Sequence, residues 1–144
     1  MKHVFLFVPK EWKVKGNYTD ENGRRIKVEG FMKIAHKSGN WAMNVELVVP
    51  MKGGKSLDLR SVYKVKPVKK GGVETSWTSE NKITGKCSGR FFVAGPSIIS
   101  TYTTKNNQYA GFETFKFTGG GRYENEGAIY QGTERVSSWK LSLY

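Results

Sequence analysis

Apolar and polar residues alternate along most of this 144-residue chain. The alternation has a period of two, which is typical of half-buried β-strands. In the clearest example, Ile26 to Ile34 places apolar residues on one face and charged residues on the other, and a second alternating segment, Trp41 to Val49, follows directly. The pattern predicts that these two segments form a β-hairpin.

Short turns separate the alternating segments about every ten residues. Glycine and asparagine dominate them, at Asn22-Gly23, Ser38-Gly39-Asn40, Gly53-Gly54, Gly71-Gly72, Asn106-Asn107 and Gly119 to Gly121. About ten strands result, including a long one from Ile83 to Val93, and consecutive antiparallel strands favour a meander that closes into a barrel.

We therefore predict an all-β protein with one domain over residues 1–144. Its expected architecture is a single antiparallel up-and-down β-barrel of about 8–10 strands, wide enough to leave room inside. The alternative is a barrel plugged by its own tryptophan and phenylalanine side chains, which would leave no pocket.

The charge of the chain suggests one possible function. Lysine and arginine number 24 against 12 aspartates and glutamates, and the formal charge of +12 is spread from Lys2 to Lys140. Such a surface attracts polyanions, so nucleic-acid binding is an alternative function. No dense basic stripe is visible, however, and basic residues occupy outward strand positions and turns, which favours a solvated barrel exterior.

Two features concern the cellular compartment. Cys87 is the only cysteine, so no disulfide can form within the chain, which suits a reducing compartment. The apolar run Val4 to Val8 is too short for a signal-peptide core or a membrane span. We expect a cytoplasmic protein without a membrane span.

Catalytic and metal-binding signatures are missing from the sequence. No nucleophile elbow, phosphate-binding loop or dinucleotide fingerprint appears, and neither His3 nor His36 has a cysteine or carboxylate at metal-ligand spacing. We predict no catalytic residue and no metal site, and the sequence identifies no cofactor. His36 continues an apolar strand face, so it is a candidate ligand contact at a barrel mouth, the alternative being an exposed or capping histidine.

Glu113 is the unusual residue, because it shares a strand face with Tyr109, Phe115 and Phe117. A carboxylate on an inward face must be hydrogen-bonded, ion-paired or functional. If the interior is a pocket, Glu113 and a few inward residues would orient a mostly apolar ligand. These further candidates are Trp41, Trp77, Tyr102, Tyr123 and Asn125. A one-residue shift in register would instead turn Glu113 towards solvent.

The preferred hypothesis is non-enzymatic binding of a small hydrophobic or aromatic ligand inside the barrel. Its partner would be a small apolar molecule, with nucleic acid as the less favoured partner. A further alternative is a barrel isomerase or cyclase in which Glu113 acts as general acid or base.

The chain resembles the calycin superfamily, which includes lipocalins, fatty-acid-binding proteins and nitrobindin-like barrels. The matching features are Trp12 with Gly16 and Tyr18 near the start, the late strand Tyr123 to Gly127, and the closing strand Ser137-Ser138-Trp139-Lys140-Leu141. The usual spacing of the lipocalin Gly-x-Trp signature is not present, and no histidine follows Trp139 to ligate haem. The resemblance implies a cup for a small apolar molecule.

Overall fold

The computed structural model describes residues 2–50, 52–82 and 84–144. These residues form ten β-strands and two short 3₁₀ turns, at Lys52–Gly54 and Lys105–Asn107. The strands are β1 (Lys10–Thr19), β2 (Arg25–Lys37), β3 (Asn40–Pro50), β4 (Ser56–Val65), β5 (Glu74–Asn81), β6 (Gly85–Ala94), β7 (Ser97–Thr104), β8 (Ala110–Gly119), β9 (Arg122–Gln131) and β10 (Glu134–Leu143). Ile83, predicted at the start of the long strand, lies outside the described residues.

The ten strands form a closed antiparallel barrel in which each strand pairs with its neighbours in sequence, and β1 pairs with β10 to complete the ring. The predicted up-and-down barrel is confirmed, as is the hairpin of β2 and β3, which turns between Lys37 and Asn40. Glycine makes the tight turns possible, as at Gly39 and Gly120, where φ is +76° and +60°.

The alternation seen in the sequence sets the inward face of each strand. Along β2, Val28, Met32 and Ile34 are buried, while the intervening Glu29 and Lys33 are exposed. Because successive side chains of a strand point to opposite sides, this register fixes which residues line the barrel interior.

The chain before β1 enters one end of the barrel and fills it. Phe5 and Leu6 are 0% and 1% exposed, and the Phe5 ring stacks on Phe115 at 4.2 Å between centroids. Trp12 meets Phe5 edge-on at 5.9 Å. We call this end, where the β2–β3, β4–β5, β6–β7 and β8–β9 turns lie, the closed end.

The opposite end carries the β1–β2, β3–β4, β5–β6, β7–β8 and β9–β10 turns, and we call it the open end. A cavity of about 840 Å³ lies towards this end. The barrel is therefore plugged in one half and hollow in the other, so each of the two predicted alternatives describes one half of the molecule.

Candidate functional site

A cavity of about 840 Å³ occupies the open half of the barrel. Its wall is mostly apolar, because strands β2, β3 and β10 contribute aliphatic and methionine side chains. These are Val28, Met32, Met43, Val45, Leu47 and Leu141. The volume falls within the range of roughly 300–1,000 Å³ that is typical of small-molecule sites.

Glu113 lies inside this cavity and is 7% exposed. Strand pairing places it opposite Ser100 of β7 and Gly127 of β9, two small residues that leave its carboxyl group room. The Asn125 amide donates a hydrogen bond from Nδ2 to Oε2 of Glu113 at 3.1 Å. The predicted inward register of Glu113 is therefore present in the structure.

Asn125 links Glu113 to a tryptophan. Its own side chain is 0% exposed, and Nδ2 also donates to the carbonyl of Thr114 at 3.1 Å. The Trp139 indole donates from Nε1 to Oδ1 of Asn125 at 3.1 Å. These bonds fix the orientation of the Asn125 amide, so its N–H group, and not its oxygen, faces the carboxyl group.

The surroundings of Glu113 make it a weaker acid. Burial raises the pKa of its carboxyl group to about 7, and the hydrogen bond from Asn125, together with the nearby Trp139 indole N–H, offsets only part of this effect. Removing a carboxylate from water disfavours its charged form, whereas donors directed at it favour that form. Near neutral pH the group can therefore either donate or accept a hydrogen bond.

Tyr63, Tyr102 and Cys87 also line the cavity near Glu113. Burial raises the pKa of both tyrosine hydroxyls well above its ordinary value, and the Glu113 charge raises it further. Both hydroxyls therefore stay protonated. Among the described residues neither hydroxyl has a protein hydrogen-bond partner, so both are available to hydrogen-bond a molecule in the cavity.

Trp77 forms part of the same wall. Its indole Nε1 donates to Oγ of the buried Ser100 at 3.0 Å, and its ring packs against Tyr63 and Tyr102 at centroid distances of 4.9 and 5.6 Å. With its N–H group satisfied by Ser100, Trp77 presents a flat apolar surface to the cavity.

Three inward glycines make room for these aromatic rings. A Cβ atom at Gly89 would collide with Trp77 and Tyr102, one at Gly111 with the Tyr102 ring, and one at Gly127 with Trp139. Each glycine lies directly opposite an aromatic residue of a neighbouring strand. The absence of side chains therefore lets the rings lie along the wall rather than across the cavity.

The structure brings four of the seven predicted contacts together. Trp77, Tyr102, Glu113 and Asn125 all line the cavity. Tyr123, Trp41 and His36 do not, because they lie at the closed end of strands β9, β3 and β2. The strand face was right for all seven residues, but their height along the barrel differs.

At the closed end these three residues hold the N-terminal segment. The Tyr123 hydroxyl contacts Nδ1 of His3 at 2.9 Å and accepts a hydrogen bond from the Val4 amide at 3.1 Å. Nε2 of His36 donates to the Leu6 carbonyl at 2.8 Å, and its ring stacks on Trp41 at 4.0 Å. These contacts tie the three residues to the N-terminal segment, and His36 lies at the closed end, away from the mouth of the cavity.

Tyr63, Cys87 and Trp139 also line the cavity but were not among the contacts predicted from the sequence. The signal that could have identified Trp139 is the inward glycine Gly127 directly opposite it on the neighbouring strand. Among the described residues, no group of three or more His, Cys, Asp or Glu side chains is arranged to hold a metal ion. The described part of the chain also contains no helix long and apolar enough to cross a membrane.

No protein-family model matches this chain, and no curated protein matches its sequence. Among solved structures, the fold is similar to that of an S-type phycobiliprotein lyase, CPES, from Guillardia theta. The two structures have a TM-score of 0.66 and 11% sequence identity, and the match covers 96% of this chain and 88% of that chain. At this identity the likeness shows a shared barrel fold alone.

Proposed function

We propose that this protein binds one small, mostly apolar or aromatic molecule in its open-end cavity without chemically changing it. The observation that carries the proposal is the cavity of about 840 Å³ with a buried carboxyl group, Glu113, in its wall. A few well-placed polar groups in an otherwise apolar pocket are what orients a small ligand.

The affinity and the orientation would come from different parts of the wall. Burial of apolar ligand surface against Met32, Met43 and Leu47 contributes about 25 cal/mol for each Å² removed from water. The Glu113 carboxyl and the hydroxyls of Tyr63 and Tyr102 then select a ligand that carries its own hydrogen-bonding groups at the buried end. A purely aliphatic ligand would leave these groups unpaired.

The fold likeness to a phycobiliprotein lyase guides the choice of probe. A bilin is an elongated conjugated molecule with pyrrole N–H donors, so its chemistry suits an aromatic wall and a carboxyl group. Oleate, a flexible aliphatic acid, tests the opposite ligand class. We expect the bilin to bind more tightly than oleate.

A second candidate function is general acid–base catalysis, and the position of Glu113 favours it. A carboxyl group whose pKa lies at about 7 inside a cavity is poised to transfer a proton at neutral pH. This function requires turnover of a bound molecule that is lost in Glu113→Gln while the fold is retained. Stoichiometric binding with no change in the ligand would contradict it.

The test of the binding proposal is a fluorescence titration. Trp77 and Trp139 both line the cavity, so a bound bilin should quench tryptophan emission with a stoichiometry of one per chain. A phenylalanine at Cys87 would fill part of the cavity, and we expect Cys87→Phe to weaken binding about tenfold or more. Ser88, the next residue, is exposed on the outer face, and Ser88→Phe is the matched control.

The salt dependence separates the cavity from the basic exterior. The affinity for a molecule inside the barrel should change by no more than about threefold in 1 M salt. At that ionic strength exposed charges are screened beyond roughly 3 Å, which weakens binding to the basic exterior but not apolar contacts in the cavity. Binding that collapses in salt and is unaffected by Cys87→Phe would contradict the proposal. That result would favour polyanion binding at the surface.

A further inference from the structure

Among the described residues, strand β4 is paired along its whole length on one side only. Its ladder with β3 runs from Trp41↔Val65 to Pro50↔Ser56. Its ladder with β5 covers four pairs and stops at Val62↔Glu80, shortly before β5 ends at Asn81. The segment Ser56–Ser61, which we call the free edge, therefore extends about 20 Å beyond its ladder with β5.

The free edge borders the cavity. Asp58, Leu59, Arg60 and Ser61 are among its lining residues, as are residues 80–82 and 84. An unpaired row of backbone N–H and C=O groups is a template for another strand.

Elsewhere in the barrel, a side chain bonds to the end of a strand that its neighbour overhangs. Where β10 extends past the end of β1, Arg135 donates from Nη2 to the Asp20 carbonyl at 2.9 Å and from Nη1 to the Thr19 carbonyl at 3.3 Å. In the described part of the chain, no lysine or arginine side chain bonds to the backbone of Ser56–Ser61. Within residues 2–50, 52–82 and 84–144, the backbone of the free edge therefore lacks a side-chain cap of the kind that Arg135 provides at the end of β1.

The sequence of the free edge is complementary to itself. Two copies related by a two-fold axis perpendicular to the sheet pair antiparallel, and residues directly opposite each other then share a face. With Leu59 on the axis, Asp58 of each copy lies opposite Arg60 of the other. An axis through Asp58 or Arg60 would instead place like charges together, and an axis through Leu57 would form no pair of opposite charges, so charge favours the register centred on Leu59.

We propose that the free edge is a homodimer interface in which two copies pair along Ser56–Ser61 with Leu59 on the two-fold axis. The apolar residues beside the seam fit this arrangement, because Leu57 and Val62 are 46% and 53% exposed and would be partly covered. The formal charge of +12 on each copy opposes association, so the local Asp58–Arg60 pairs provide the specificity. The second copy closes the side of the cavity opening.

Sedimentation velocity over a range of protein concentrations tests the proposal. The wild-type protein should reach twice the 16.2 kDa mass of one chain. Asp58→Arg and Arg60→Asp each place like charges across the seam and should weaken dimerisation about tenfold or more. An equimolar mixture of the two variants restores both opposite-charge pairs, as does the double variant in one chain, so both samples should dimerise like the wild-type protein.

Two controls separate this effect from loss of folding. Arg60 also contacts Glu46 at 3.3 Å, so Arg60→Asp is repeated in a Glu46→Gln background, with circular dichroism checking the fold of each variant. Reversal of the exposed Lys140 and Glu126 pair on the β9–β10 wall should leave dimerisation unchanged. A wild-type protein that stays monomeric at all concentrations, or single variants that dimerise normally, would overturn the proposal.

Discussion

The two halves of this barrel are built from the same alternating strands and have opposite interiors. At the closed end, Phe5, Trp12, Phe115 and Tyr123 are at most 1% exposed and pack ring against ring. At the open end, the corresponding inward positions surround a cavity of about 840 Å³. The strand pattern alone therefore does not decide whether a barrel is solid or hollow.

The difference comes from two sources. The first is the N-terminal segment, residues 2–9, which adds Phe5 and Leu6 to the closed end, whereas no described segment fills the open end in this way. The second is side-chain size, because inward positions towards the open half include Ser79, Gly111 and Gly127. Substitutions at the closed end should therefore affect mainly stability, and those at the open end mainly binding.

The largest expected effect is at the closed end. Phe5→Ala removes a fully buried ring that stacks on Phe115, and we expect the free energy of unfolding to fall by about 3–5 kcal/mol. Urea denaturation measures the change. Phe7, which is half-buried against Trp41, is the matched control, and Phe7→Ala should cost less. A loss below about 1 kcal/mol for Phe5→Ala would show that the segment is not part of the core.

The second effect is a pH dependence at the open end. The folded-state pKa of Glu113 is raised from 4.5 to about 7, so between these values the unfolded chain has released the proton and the folded protein retains it. The contribution of Glu113 to the free energy of unfolding is therefore greatest below pH 4.5. It falls by about 3 kcal/mol as the pH rises to 7.

Unfolding free energies measured from pH 4 to 8 test this dependence. Glu113→Gln should remove the decline, because the amide cannot ionise, whereas Glu126→Gln on the exposed outer wall should retain it. An unchanged slope in Glu113→Gln would mean that the carboxyl group is ionised and solvated in the folded protein.

The third effect concerns the glycines under the aromatic rings. Gly111→Ala places a methyl group against the Tyr102 ring, and we expect a loss of about 1–3 kcal/mol in stability, or a rotation of the ring into the cavity that weakens ligand binding. A ligand titration and urea denaturation distinguish these two responses. If neither stability nor ligand binding changes, the close packing of Tyr102 on β8 is contradicted.

The smallest expected effect is a difference in stability between two matched substitutions, one at each end of the barrel. Tyr123→Phe removes a buried hydroxyl that contacts His3 and Val4, and should cost about 1–3 kcal/mol. Tyr63→Phe removes a hydroxyl with no protein partner among the described residues, and should change stability by less than about 0.5 kcal/mol. Thermal or urea unfolding measures both. Equal losses at the two sites would remove the distinction between the closed and open ends.

The strand faces could be predicted from sequence because the period of a strand is two and depends only on local order. This is why Glu113 and Asn125 were placed inside the barrel. Their height along the barrel axis depends on where residues 2–9 pack, and the run Val4 to Val8 has no alternation that reveals its docking site. Tyr123, Trp41 and His36 were therefore grouped with residues of the opposite end.

The free edge of β4 could not be predicted for a related reason. It arises because β5 pairs with β4 in the register Val62↔Glu80 and ends one residue later. Register between strands joined by a loop depends on the packing of the whole barrel and not on either strand alone. Only when that register is known can Asp58 and Arg60 be assigned to an unpaired strand edge.

The most direct test of the account is mass spectrometry of freshly purified protein under native and denaturing conditions. We predict a reproducible mass excess that is lost on denaturation, is absent from Cys87→Phe, and is retained in Ser88→Phe. The mass excess would also weigh the ligand. A wild-type protein with no excess that also binds none of the probes, or an equal excess in Cys87→Phe, would contradict the assignment of the binding site to the open-end cavity.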